Sequence, residues 1–414
     1  MKIRILGGGQ EVGRSAIQVQ TKNASIIMDY GVKIEPAPGE FPLVPDKVDA
    51  IIPTHSHLDH CGAVPVLARH KAPVFTTSAT AEMSELLIND FLKIARINQY
   101  PQRFTREDAR KIMNSIKAVK CEKPFSVKDA SIKLFDAGHI PGSAGVLLSS
   151  GKKNIFYTGD IKLSAQKLVS GCRLPKEKVS TLIIESTYSD RNHPDVHNRD
   201  ALFRSEIDEA LNMNEHVIIP VFAVGRAQEI LLNLKGYENY VALDGMAKEA
   251  TRIILKNSKC IRNSDELKNI FRKIRKIDNV KQREAALKKP SIIVTTSGML
   301  SGGPVAYYLR KIQSRRDSKV IIVGFQVEGS PGKQLLDTNI YKNENEEFAV
   351  RCRITRFDFS SHAGRGELLE IIRKIKPEQV ICVHGDKCPQ FARDIEREFR
   401  IPAFAPKNGD EIEI

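Results

Sequence analysis

IIPTHSHLDHCG, residues 51–62, sets His55, His57, Asp59 and His60 within six positions, directly behind an apolar β-branched run. The run reads as a buried strand, so four ligand-type side chains stand at a strand end, where a turn aims several of them at one point. The whole chain of 414 residues has ten histidines. Three of them in one turn is a demanding coincidence for a solvated loop. Imidazole nitrogens together with a carboxylate oxygen suit Zn²⁺. His55 and His57, two apart, can converge on one point. Asp59 and His60, at the start of a helix expected over CGAVPVLARH (61–70), can converge on a second.

Further donors recur at other strand ends: His139 in DAGHIPGSAG, Asp160 in YTGDIK, His384 in ICVHGD, with Asp29 in IIMDYG before them. Each follows an apolar run and precedes a glycine or a turn. Taken singly, each reads equally well as a hydrogen-bonded turn or core residue. Taken together they exceed what one closed structural zinc site needs.

The rest of the chain narrows the class. No stretch approaches the roughly 18–20 apolar residues of a membrane span, and MKIRILGGGQ has no secretory core, so a cytoplasmic protein without membrane contact is expected. Seven cysteines without a CxxC pair read as reduced, mostly core residues. A formal net charge of +14 biases the surface toward polyanions.

Strand-like runs crowd the first part, at 2–6, 16–20, 24–28, 49–53, 132–135, 145–149, 154–158 and 181–185, with few helices between them. From 216 the runs 216–222, 240–243, 291–295 and 319–324 alternate with helical segments, the rhythm of a parallel, helix-covered sheet. After about 355 a strand, a helix over 365–376, the strand 379–383 and a terminal EIEI return to the character of the first part. The expected organisation is therefore an α/β domain over 1–189, interrupted by an inserted domain over 190–355 and completed by 356–414.

The ordered set aspartate, HxHxDH, His, GD, His resembles the metallo-β-lactamase fold, which implies an αββα sandwich with two zinc ions per chain. On that template His55, His57 and His139 hold one metal, Asp59, His60 and His384 the other, Asp160 bridges them, and Asp29 orients a ligand from behind. TLIIESTYSDRNH, PVFAVGRAQE, TTSGMLSGGPVAYYL and FDFSSHAGRGELLEII are similar to the motifs of the β-CASP nuclease branch, with Glu185, His362 and His384 at its three extra positions. LGGGQEVGRS, ESTY and PVFAVGRAQE look closest to the endonuclease subunit of the cleavage and polyadenylation specificity factor and its archaeal relatives. A histidine at the last motif is what RNA-acting members carry.

The resemblance implies hydrolysis of single-stranded RNA, mainly at internal bonds, in 3′-end processing or decay. Asp59 would accept a hydrogen bond from the attacking water, and His362, held by Glu185, would protonate the leaving 3′ oxygen. Strand entry would run through a cleft between the domains. The runner-up is a 5′–3′ exonuclease of the RNase J type, whose relatives tend to show GSQGEP where this chain has SGMLSGGP. A metallohydrolase of small esters and a silent RNA-binding scaffold are the readings of other classes. The chain reads as a bare catalytic core without KH domains, for which a homodimer and a larger RNA-processing or decay complex are the partner states to look for.

Three segments stand apart. Gly7, Gly9 and Gly13 are spaced GxGxxxG with no helix following, which fits a tight turn and not a dinucleotide loop. FAVGRAQE and TTSGMLSGGP run from strand to helix through small residues, leaving backbone N–H groups free for an anion, with Arg226, Ser297 and Gly298 as expected phosphate contacts. KNIFRKIRKIDNVKQREAALKK, 268–289, has apolar residues at helical spacing and Lys or Arg elsewhere. It reads as a solvated helix face or as a contact for an RNA backbone.

Overall fold

A computed structural model describes residues 1–35 and 37–414. The chain forms two compact units, the first comprising 1–165, 169–192 and 361–414, the second 166–168 and 193–360.

The first unit is built on two seven-stranded sheets. One runs, in spatial order, Glu411–Glu413, Lys2–Gly7, Ala16–Gln20, Ser25–Met28, Ala50–Ile52, Val74–Thr76, Ile116–Ala118. The other runs Ala403–Phe404, Gln379–Val383, Thr181–Glu185, Lys153–Tyr157, Ala144–Ser150, Ala130–Asp136, Phe125–Val127. Side chains alternate faces along a strand, so each strand feeds two layers. Ile3, Ile5, Val19, Ile26 and Met28 of one sheet meet Ile132, Leu134, Val146, Leu148 and Ile183 of the other. Their neighbours Leu6, Ile27 and Ile51 face outward onto Leu67, Ile88 and Leu92. Leu182 and Ile184 likewise face Leu368, Ile371, Phe391 and Ile395 of the helices Arg365–Ile375 and Cys388–Phe399. The layering is helix, sheet, sheet, helix. Both chain ends share the first sheet: Lys2–Gly7 pairs antiparallel with Glu411–Glu413, and the Met1 amine donates to the Ile414 carbonyl at 3.0 Å.

The second unit carries a six-stranded sheet, in order Arg275–Ile277, Val241–Asp244, Ile292–Thr295, His216–Pro220, Ser318–Ile322, Arg353–Arg356, with every pairing parallel. HVIIP is buried at all five positions, as a strand covered on both faces requires.

Three local expectations change. CGAVPVLARH is not one α-helix: a four-residue α-turn over Leu58–Cys61 gives way to a 3₁₀ helix over Val64–His70, with Pro65 in its first turn. Proline lacks the N–H that would have continued the earlier turn. Helices are also less sparse early on, since Ser78–Ile97 spans twenty residues. The basic stretch 268–289 is broken into the end of Ser264–Lys273, the strand Arg275–Ile277 and the helix Val280–Ala286. All seven cysteines are free, four of them buried, and no helix among the described residues is long and apolar enough to cross a membrane.

Candidate metal centre

The strand Ala50–Ile52 delivers its next residues to the sheet edge, where the turn before Leu58–Cys61 folds His55 and His57 back on each other. His55 Nε2 lies 3.1 Å from His57 Nδ1, and His139 Nε2 lies 3.2 Å from the same His57 nitrogen. Asp160 Oδ2 is 3.4 Å from His55 Nε2 and 3.6 Å from His139 Nε2. Four donors thus face one point. The other Asp160 oxygen turns the opposite way, 3.3 Å from His60 Nε2 and 3.0 Å from His384 Nδ1. Asp59 Oδ2 completes this second group at 3.3 Å from His384 Nε2. All seven residues expected as ligands are brought together in one group or the other, with Asp160 between the two.

Rear contacts fix the rings. Asp29, wholly buried, accepts the His60 Nδ1 proton at 2.7 Å, which turns Nε2 toward the cluster. The same carboxylate accepts from the Thr54 backbone N–H (2.6 Å), the Thr54 hydroxyl (2.9 Å) and the Tyr157 hydroxyl (2.8 Å). His139 Nδ1 meets the Ser361 carbonyl at 3.0 Å. The glycine turn also braces this side: the His384 N–H donates to the Gly8 carbonyl at 2.7 Å, and the Ser15 N–H to the Asp59 carbonyl at 2.8 Å.

His362 stands beside the clusters. Its Nδ1 is 3.1 and 3.2 Å from the two Glu185 oxygens and 3.9 Å from Asp160 Oδ2. Glu185 is itself held by the Ile161 N–H at 2.9 Å, and the buried Lys162 ammonium donates to the His362 carbonyl at 3.0 Å.

Burial pushes His55 and His139 well down, and His57 to about 4, which favours neutral, donor-ready imidazoles. On the second group burial acts the same way but loses to carboxylates: Asp160, Asp29 and Asp59 raise His60, and Asp160 and Asp59 lift His384 to about 10. Asp160 is driven well below the usual carboxylate range, its burial outweighed by His60 and His384. These carboxylates favour positive charge beside them, which the two raised imidazoles or a bound cation can supply.

Two archaeal proteins align with the chain end to end or nearly so. "Probable RNase MJ4" of Methanocaldococcus jannaschii is 36% identical over the whole of both chains. "RNase aCSPSF2" of Saccharolobus solfataricus is 35% identical over this whole chain and 85% of that one. Residues 227–335 match the Beta-Casp domain and 347–406 the Zn-dependent metallo-hydrolase RNA specificity domain. The chain belongs to the β-CASP ribonucleases of the metallo-β-lactamase fold. Its first 199 residues also match the Anti-Pycsar protein Apyc1 family, and an "RNase J-like protein" of M. jannaschii is 32% identical over this whole chain and 99% of that one.

The cofactor of this family is a metal, and the donors of this β-CASP protein fit one. A tetrahedral ion with 2.0–2.1 Å bonds separates its ligand atoms by about 3.3 Å. The spacings of 3.1 to 3.6 Å in the first group bracket that value. The buried His60 Nε2, His384 Nε2 and Asp160 Oδ1 face charged neighbours at 3.0 to 3.3 Å without an aligned hydrogen bond, as atoms turned toward a shared cation would.

Arg226, Ser297 and Gly298 belong to the second unit, the metal-ligand candidates to the first. They follow the paired strands His216–Pro220 and Ile292–Thr295, and a side chain on Gly298 would strike the Phe222 backbone nitrogen at 2.8 Å. The two segments therefore meet at the carboxyl edge of that sheet. Sequence reading missed Thr54, Tyr157, Lys162 and Ser361. All four stand within three residues of a motif position, and that proximity was the available signal.

Proposed function

We propose that this ribonuclease binds two zinc ions and cleaves single-stranded RNA, mainly at internal phosphodiester bonds. The observation that carries the reading is two donor groups sharing Asp160, with a histidine–carboxylate pair beside them. His55, His57 and His139 would hold one ion and Asp59, His60 and His384 the other, with Asp160 available to both. A bound pair lowers the pKa of water toward neutrality and offsets the charge of the phosphate oxygens.

The chain's own groups do the rest. Asp59, the most exposed of the carboxylates in the cluster, accepts a hydrogen bond from the attacking water and orients it. Glu185 holds His362 Nδ1, so the proton to be delivered sits on Nε2. Burial lowers His362, but Glu185 and Asp160 outweigh it and raise its affinity for that proton. Transfer to the departing 3′ oxygen leaves a 3′-hydroxyl and a 5′-phosphate. Arg226 and the backbone around Ser297 and Gly298 bind phosphates of the strand.

The similarity to an RNase J-like protein along the whole chain favours a second reading, 5′–3′ exonucleolysis. A circular, unstructured RNA separates the two because it has no end. Internal cleavage predicts that the circle is linearised, and that Asp59→Ala abolishes the cut. Survival of the circle while the same sequence with a 5′-monophosphate is degraded to mononucleotides would establish the exonuclease instead.

A further inference from the structure

Residues 248–289 hold fourteen Lys and Arg against five Asp and Glu, a net +9 of the chain's +14 in about a tenth of its length. This charge lies on the elements before and after the edge strand Arg275–Ile277 of the second unit's sheet. The helices Ala247–Lys256 and Ser264–Lys273 pack on each other, and Arg275–Ile277 is the outermost strand of its sheet. The acids present are largely taken: Glu249 pairs with Arg252 at 2.6 Å, Glu266 with Lys235 at 2.8 Å, and Asp278 with Lys248. Lys259, Lys268, Lys273, Arg275, Lys281, Lys288 and Lys289 are exposed and have no acidic partner among the described residues. The crowding reaches Lys276, where burial first and then the neighbouring Arg252 hold the ammonium below its usual range.

Like charges within a Debye length of about 8 Å repel, and the few acids here offset only part of that cost. We infer that this sheet edge is a docking surface for the phosphate backbone of single-stranded RNA, separate from the residues that cut it. The inference rests on the ribonuclease reading for its choice of polyanion. Ammonium groups on long, mobile stems contact phosphates and carry no base pattern, so the surface binds RNA without regard to sequence.

The test measures binding of an unstructured 30-nucleotide RNA to the full chain in chelator, where no cleavage interferes, from 50 to 300 mM salt. Each cation that neutralises a phosphate contributes about 0.7 to the slope of log K against log salt on a single strand. Replacing Lys268, Lys273, Arg275 and Lys281 by Gln is expected to lower the slope by about 3 and to weaken binding at least tenfold at 100 mM salt. A control replacing the exposed Lys22, Lys71, Lys123 and Lys152 of the first unit makes the same change in net charge. Equal losses in both variants would reduce the surface to bulk charge and overturn the inference. So would an unchanged slope in the first variant, including the case where only its affinity for phosphatidylglycerol vesicles falls. Failure of the wild-type protein to cleave any RNA would sink the ribonuclease reading instead, and leaves this binding measurement readable.

Discussion

Four hydrogen bonds converge on the two oxygens of Asp29, and none of them comes from the face that would meet a metal. Its work is on His60, whose ring is set by one 2.7 Å contact. Asp29→Ala removes that contact, lets the imidazole rotate, and is expected to weaken binding of the second metal 10- to 100-fold while the first is held nearly as before. Stepwise metal titration followed by equilibrium dialysis reads this. Two sites weakened equally would show that Asp29 supports the fold at large and not one ligand. His362→Ala makes the opposite division: turnover falls roughly 10²- to 10⁴-fold with metal content and RNA binding kept, because the group moves a proton and holds no ion. Loss of zinc from that variant would reassign it as a ligand. The donors themselves were legible in the sequence because ligand chemistry restricts residue type, and His, Asp and Glu at strand ends are few. Thr54 and Tyr157 were not, since a hydroxyl has many uses and only the folded chain brings both onto one carboxylate.

Segments of the chain were readable in proportion to their length. TLIIE and QVICV, five residues each and apolar throughout or nearly so, were found at their true bounds, whereas Val74–Thr76 and Ile116–Ala118, three residues each, offer no period to detect. The helix Arg106–Ser115 is opened by a capping box, Thr105 with Asp108, a pattern readable in the sequence. The long segment of the second unit begins at His193 and ends at Ser360, and a clasp joins these ends: His193 Nδ1 lies 2.9 Å from Asp358 Oδ2, and the Ser360 N–H donates to Asp358 Oδ1 at 3.0 Å. Burial raises the Asp358 carboxyl, but His193, the Ser360 N–H and Arg226 together hold it well below the usual range. A depressed carboxyl stabilises the folded state above its unfolded pKa of about 3.9, and that contribution fades as pH falls toward the folded value. Asp358→Asn is therefore expected to lower the urea midpoint of the second unit at pH 7, with the gap to wild type closing below about pH 4. A gap that stays constant across this range would mean the carboxylate charge is not what holds the clasp.

Across the whole molecule the two units have separate cores and unequal dependence on metal. The first buries His55, His60, His139, Asp160 and His384 at one sheet edge, a donor set that could hold a metal ion. An uncompensated buried charge costs several kcal/mol, and an ion that binds the folded but not the unfolded chain adds about 4 kcal/mol when present at a thousand times its dissociation constant. No corresponding donor group was found among the described residues of the second unit. Removing metal with chelator should thus lower the melting of the first unit by on the order of 10 °C and leave that of the second in place. Hydrogen exchange assigns the change: amides of 54–60, 139–144, 158–162 and 384–386 are expected to lose protection, while those of His216–Pro220 and Ile292–Thr295 keep it. Restoring zinc should restore both the transition and the protection. If chelation leaves the two transitions where they were, the donor clusters are held by the fold alone, and the two-ion site is not part of what stabilises this chain.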